Sequence, residues 1–300
     1  MTSHLLALAG VSKTLRTPFS RKPGFRVGPI DLTVGQAEIV GLIGANGAGK
    51  TSTIKMILGL LVPEHGTVEL VGARSPAVWT KNLGYLPEQP VFYDYLTGLE
   101  FMMFVGDLFG IDRTTLGPRV ESLLGRVGLS DSVRRPIRTY SKGMLQRLGL
   151  AQALINDPRL LIMDEPMSGL DPLGRRFVRD LMLELRNEGR SILFSTHIIP
   201  DAEFVCDRVA LMRAGQLVAV GTFDELLGIP TEFEVTSVDT GSSAGGLADR
   251  GRVSVRVAEK ELTSAIADIV SRGSHLVGVS PIRKTVEDLL TSGAPGEGGR

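Results

Sequence analysis

Residues Gly44-Ala45-Asn46-Gly47-Ala48-Gly49-Lys50-Thr51 fit the spacing G-x-x-x-x-G-K-[ST], which builds a backbone cradle for phosphate. Glycines let successive N–H groups curl around an anion, and the start of a following helix adds partial positive charge. In such a loop Lys50 reaches the β- and γ-phosphates and the Thr51 hydroxyl ligates Mg²⁺; Ser52 completes the stretch. A second group lies about a hundred residues downstream, where Leu160-Leu161-Ile162-Met163 ends in Asp164 and Glu165. Asp164 suits holding Mg²⁺ opposite Thr51, directly or through water. Glu165, one residue on, is placed to polarise an attacking water as general base. The chemistry this predicts is Mg²⁺-dependent hydrolysis of a nucleoside triphosphate.

For these groups to meet, particular elements must hold them. Residues 38–43 read as a buried strand entering the glycine loop. Beyond the loop, Ile54, Ile57, Leu58 and Leu61 stand at helical spacing. The runs 160–163 and 191–194 are continuously apolar, the mark of strands covered on both faces in a parallel sheet. A helix over 173–188 joins them, which makes the unit βαβ. Ligands bind such sheets at the carboxyl ends of the strands, where the polar residues cluster. Upstream, short strands at 5–8 and 28–34 flank a basic insertion, 16–26, and Pro63-Glu64-His65-Gly66 turns the chain into a strand at 67–71. From about residue 91 to 154 the pattern is helical, with segments at 98–109, 119–127 and 142–155. After Gly228 the composition shifts to alternating strands at 232–238 and 252–257, separated by a Gly/Ser/Asp-rich loop at 239–251. A helix at 259–271, a strand at 275–279 and a helix at 284–291 complete a small α+β unit, and the Gly/Pro tail 293–300 reads as disordered.

Bulk properties narrow the class. The 300 residues carry 33 acidic and 33 basic side chains, so no global field draws the chain onto nucleic acid or anionic lipid. No apolar run approaches the roughly 20 residues of a membrane span, and residues 1–10 lack the pattern of a signal peptide. Cys206 is the only cysteine, which excludes a disulfide framework or a cysteine zinc cluster; it reads as a small buried hydrophobe. The expectation is a cytoplasmic protein of two parts, 1–228 and 229–300.

Three further segments carry a family resemblance. Tyr140-Ser141-Lys142-Gly143-Met144 precedes a helix with Ser141 at its N-cap, Ser168-Gly169-Leu170-Asp171 follows the acidic pair, and His197 ends Phe194-Ser195-Thr196-His197. Over about residues 5–228 the set resembles the ATP-binding subunit of ABC transporters. The resemblance implies an α/β P-loop NTPase fold: a RecA-like core, an antiparallel β-subdomain and an inserted helical subdomain at about 90–156, followed here by the small C-terminal accessory domain. It implies ATP and Mg²⁺ as ligands, and two subunits, identical or paralogous, packed head to tail. Each ATP then lies between one P-loop and the partner's Ser141 and Gly143, while His197 contacts the γ-phosphate and Asp171 links the two sites.

The chain departs from the usual signature Leu-Ser-Gly-Gly-Gln, with Lys142 for a glycine and Met144 for the glutamine. The Tyr-Ser-Lys-Gly-Met form resembles the branch that drives ABC-2-type exporters, as do residues 280–289 near the C-terminus. That implies a separate transmembrane permease and a place on the cytoplasmic face of the membrane, with no nucleic acid partner. Soluble relatives that act on DNA or the ribosome carry long coiled coils, zinc modules or paired cassettes, which this chain lacks. The Q-loop falls in residues 84–90, where Glu88 or Gln89 approaches Mg²⁺. For stacking on adenine, Leu15 occupies the usual aromatic place, and Phe19 or Phe25 are substitutes. Phe92, Tyr93, Tyr95, Phe101, Met102 and Phe104 form a candidate grip for a permease helix, although core packing is the expectation for any single one of them.

Overall fold

Three short runs, Ile39–Ile43 (β3), Leu160–Met163 (β6) and Ser191–Thr196 (β7), are buried at every position. Strands of that kind must be covered on both faces, and they are. The computed structural model describes residues 4–16, 24–70, 80–228, 231–238, 252–282 and 289. Within it β3, β6 and β7 join Leu83–Leu86 (β5), Arg208–Arg213 (β8) and Gln216–Gly221 (β9) in a six-stranded sheet of order β5-β6-β7-β3-β8-β9. All neighbours are parallel except β9, which pairs antiparallel with β8 at the edge.

A second sheet, antiparallel and of order β2-β1-β4, is made by Leu6–Leu15 (β1), Phe25–Val34 (β2) and His65–Leu70 (β4). Helix α1 (Lys50–Ile57) lies in the shared core. Its Ile54, Met56 and Ile57 cluster with Leu6, Leu8, Ile30 and Leu32 of one sheet and with Val40, Leu42, Leu160, Ile162 and Leu193 of the other. Burying a side chain of this size stabilises by about 1.5–3 kcal/mol, so α1 and the loop before it are fixed from two sides.

A helical layer follows β5. Helix α2 (Gly98–Leu108) opens on a capping box between Thr97 and Glu100, α3 (Arg113–Arg126) on Asp112, and α4 (Lys142–Leu154) on Ser141. Helix α5 (Pro172–Asn187) connects β6 to β7, and α6 (Ile199–Val205) connects β7 to β8. The chain divides into two compact units, Met1–Thr222 and Phe223–Arg300. The second contains α7 (Phe223–Leu227), a three-stranded antiparallel sheet of order β11-β10-β12 (Glu232–Val238 central, Arg252–Ala258 and His275–Ile282 outside) and α8 (Leu262–Ser271).

Several expectations need correction. Strand β1 runs on to Leu15, the edge of the expected insertion, and β2 starts at Phe25, two residues inside it, because the ladder continues through Thr14–Arg26 and Leu15–Phe25. Bulges between Leu8 and Val11 and between Val11 and Lys13 break the apolar alternation that would have marked β1 as one strand. Helix α3 starts at Arg113, upstream of Pro118, because the Asp112 side chain accepts the Thr114 N–H at 2.8 Å. Phe101 and Met102 are core residues, 3% and 0% exposed, so they do not belong to a gripping surface. Strands β5, β8 and β9 had no counterpart in the sequence reading. The expected loop 239–251, the helix 284–291 apart from residue 289, and the tail lie outside the described residues.

Phe194, fully buried in β7, sits three residues before His197. Phe194→Ala is expected to lower unfolding free energy by about 3–5 kcal/mol, read as a lower urea midpoint at unchanged slope.

Candidate active site

The register of the parallel sheet brings four strand ends to one edge, β3 level with β7, and β5 level with β6 two residues earlier. Ile43 pairs with Thr196, Met163 with Phe194, and Leu86 with Met163. The residues just beyond these ends are the glycine loop after β3, Asp164 and Glu165 after β6, His197 after β7 and Glu88 after β5. Two backbone bonds tie the ends together: Gly44 N–H donates to Thr196 O at 3.3 Å, and Asp164 N–H to Leu86 O at 2.9 Å.

The loop follows from its residue types. Gly44 passes so close to β8 that a Cβ there would run into the Met212 carbonyl. Gly49 takes φ 104°, a left-handed value open to glycine, and acts as the N-cap of α1 without any side-chain cap. An uncapped helix start leaves amide donors aimed out of the first turn, which is where an anion binds.

Inside the loop sits an ammonium group. Lys50 Nζ donates to Gly44 O at 2.7 Å and Ala45 O at 3.3 Å, and lies 3.1 Å from Glu165 Oε1. Both side chains are nearly dry, 6% and 9% exposed. The other oxygen of Glu165, Oε2, is 2.9 Å from His197 Nδ1. Glu165 therefore stands between a cation and an imidazole, the surroundings of a base that takes a proton from a nucleophile and is held in place while doing so. Its backbone has φ 48°, uncommon for a residue with a side chain. Ser195 supports that turn twice, since its Oγ accepts the Glu165 N–H at 2.9 Å and donates to Asp164 Oδ1 at 2.5 Å. Asp164 is 2% exposed. Burial, and then the charge of Asp164, push the Tyr85 phenol up to about 12, so it stays protonated beside the carboxylate.

A cavity of about 500 Å³ opens over these groups, a volume typical of a small-molecule site. Asn46, Gly47, Ala48, Gly49, Lys50, Thr51, Ser52, Glu88, Glu165 and His197 line it, together with Ser168 and Phe25. Gly44, Ala45, Asp164 and Gln89 do not; the first three lie beneath its floor through the bonds just described. Among the described residues no group of three or more His, Cys, Asp or Glu is arranged to hold a metal. Thr51 and Glu88 line the cavity and carry oxygen donors of the kind Mg²⁺ takes, an ion that retains waters and shares its ligands with phosphate, whereas Asp164 lies outside that lining.

Ser141, Gly143 and Asp171 line a different cavity, of about 480 Å³, with Lys142, Gln146 and Gly169. Ser141 caps α4 by accepting the Met144 N–H at 3.3 Å, and Asp171 caps α5 by accepting the Gly174 N–H at 2.7 Å. The Lys142 ammonium lies against Gly169, where an added Cβ would collide with it. One chain thus assembles the loop, the acids and the histidine, but not the signature serine, into one site.

Comparison with known proteins gives the family. The family profile described as "ABC transporter" matches residues 27–168. A fluoroquinolones export ATP-binding protein of Mycobacterium tuberculosis is 41% identical over 217 residues, 71% of this chain and 70% of that protein. The chain belongs to the ABC transporter ATP-binding proteins. An uncharacterised member from Nostoc sp. is 48% identical over 207 residues, 68% of this chain, and the chain spans 62% of that relative's length. A solved ATP-binding subunit of an ABC transporter aligns at TM-score 0.66 and 33% identity, covering 74% of this chain and 91% of the other.

Two supports of the site went unseen in the sequence. Ser195 stood among the polar residues that follow the 191–194 run, without a role of its own. Gln146, 5% exposed, lies in mid-helix and donates its Nε2–H to Pro166 O at 2.8 Å, tying α4 to the turn after the acids. The only sequence signal for either is a polar residue at a position that periodicity marks as core. Ser195→Ala removes both bonds of the serine and leaves a buried carboxylate oxygen unpaired. A loss of about 1–3 kcal/mol in denaturant unfolding is expected.

Proposed function

We propose that this chain is the ATP-hydrolysing subunit of an exporter, working as a homodimer or with a paralogous subunit on a separate transmembrane permease of ABC-2 type. The observation that carries the reading is Glu165 held between Lys50 and His197 in the cavity that the phosphate loop lines. A triphosphate entering that cavity competes with Glu165 for the Lys50 ammonium, which can turn to the β- and γ-phosphates. Glu165 is then freed to accept a proton from the attacking water, while His197 orients its carboxylate and contacts the γ-phosphate. Thr51, Asp164 and Glu88 would hold Mg²⁺, which when bound offsets phosphate charge. Glu88 is favoured over Gln89 because it lines the cavity.

The dimer is supported by the two cavities of similar size on one chain, one with the P-loop and one with Ser141 and Gly143. Head-to-tail packing places one against the other, with Asp171 at the join. For adenine the cavity supplies Phe25, 39% exposed and paired across the hairpin with Leu15; Phe19 lies outside the described residues. The permease reading draws on the exposed ring cluster of Tyr93, Tyr95 and Phe104, with centroids 5.7–6.0 Å apart. It also draws on the Tyr140–Met144 form of the signature. No helix among the described residues is long and apolar enough to cross a membrane; with a permease as partner, the chain's place is the cytoplasmic face of the membrane. Export as the direction is suggested by the name of the mycobacterial relative. We assign residues 1–228 to the ATPase and 229–300 to an accessory role.

Two substitutions test this. Glu165→Gln is expected to keep ATP binding, cut turnover by about 100-fold or more, and accumulate a nucleotide-bridged dimer in light scattering; near-normal turnover would remove Glu165 as the base. Phe25→Ala is expected to weaken ATP binding by at least about fivefold in calorimetry, and unchanged affinity would return the stacking role to another residue.

A further inference from the structure

Asp201 is a buried acid for which the hydrolysis scheme has no use. It lies in the first turn of α6, four residues beyond His197, with its side chain 5% exposed. Two arginines of α5 face it. Arg175 Nη1 is 3.7 Å from Oδ2, and Arg179 Nη1 is 3.6 Å from Oδ1. Both exceed the roughly 2.7–2.9 Å of a charge-assisted hydrogen bond, and among the described residues no group donates one to Oδ2. Asp201 is buried and the guanidiniums are 34% and 24% exposed, so the desolvation of the carboxylate offsets much of an attraction already screened by solvent. A purely structural role therefore leaves the cluster unaccounted for.

What the cluster does is join two parts of the chain. Arg175 Nε donates to Leu170 O at 3.3 Å, so the same guanidinium touches the turn 168–171 and faces the carboxylate on α6. Arg179 holds Asp201 from the other side and lies over the Phe204 ring at 4.5 Å, which anchors it on α6. Residues 169–171 of the turn line the cavity of Ser141, while Ser168 of the same turn and His197, from which α6 continues, line the other.

We propose that Asp201, acting through Arg175 and Arg179, is a positioning residue that holds the turn 168–171 and the His197 segment in register. A shift of that turn at the subunit interface then moves His197 relative to Glu165 within the same chain. The proposal rests on the dimeric ATPase reading. Closing the gaps of 3.6–3.7 Å into hydrogen bonds is the second arrangement that the proposal requires.

The test uses the full-length protein with its permease. Asp201→Asn keeps the shape and removes the charge. We expect the KM for ATP to stay within about twofold while kcat falls about tenfold. Amide hydrogen exchange is expected to quicken over 168–171 and to stay unchanged in α1. Asp201→Glu, whose longer stem can close the gap, is expected to bring kcat back to within about threefold of the unaltered protein. Should the asparagine variant not fold, Arg175→Lys, at a side chain 34% exposed, keeps the charge and loses the Nε donor; the same fall in kcat is expected at unchanged Tm. Unchanged kcat in these variants, equal losses for Asn and Glu, or a loss that follows Tm and ATP affinity would each overturn the proposal. Absence of turnover in the unaltered protein is a separate failure. It would sink the hydrolase reading, and unchanged exchange over 168–171 would then decide against the Asp201 connection as well.

Discussion

An ammonium and a carboxylate, both almost out of water, face each other at 3.1 Å where the parallel strands end. Neither could stay there alone, since an unpaired buried charge is strongly destabilising. The two carbonyls that take the other Lys50 hydrogens belong to the glycine loop, and the histidine on the far side of Glu165 belongs to the end of β7. To satisfy this small group, β3, β6 and β7 must lie side by side in one register. The covered sheet and the helix wedged between two sheets follow from that need. The pair also explains why a phosphate ligand has leverage: it offers Lys50 a better counter-ion, and whatever releases Lys50 changes the surroundings of Glu165.

The second constraint is that the chemistry is split. Ser141 and Asp171 each spend a side-chain oxygen on capping a helix of their own chain, and the amides behind such caps are donors turned outward. In the dimer we propose, each nucleotide is gripped by donors from two helix starts, one from each subunit. Moving a two-state assembly from 1:99 to 99:1 takes about 5.5 kcal/mol of differential binding, a magnitude within reach of two triphosphates held in this way. Gln146 adds a physical tie within the chain, since it joins the signature helix to the turn after the acids.

Much of this was legible in the residues. Continuous apolar runs marked β3, β6 and β7 because burial on both faces removes alternation, and glycine spacing marked the loop because few other residues allow its backbone. Short or interrupted elements were not legible. Strand β5 has only four residues, and β8 with β9 turns tightly at Ala214 and Gly215, both at positive φ. The pattern of β1 is broken by bulges that depend on its partners. At the site Lys50, Thr51, Asp164 and Glu165 could be named from type and spacing and His197 from the family resemblance, whereas Ser195 and Gln146 could not. A polar side chain that serves the core has no periodicity of its own, and its value appears only once the partner strand or helix is in place.

The left-handed backbone at Glu165 narrows more than chemistry does. Glycine and asparagine settle into that twist with little strain, whereas valine, isoleucine and threonine resist it. Descent with modification at this codon is thus filtered first by geometry. Any replacement must also leave a partner for the buried Lys50 ammonium, so backbone geometry and charge together narrow what can stand there.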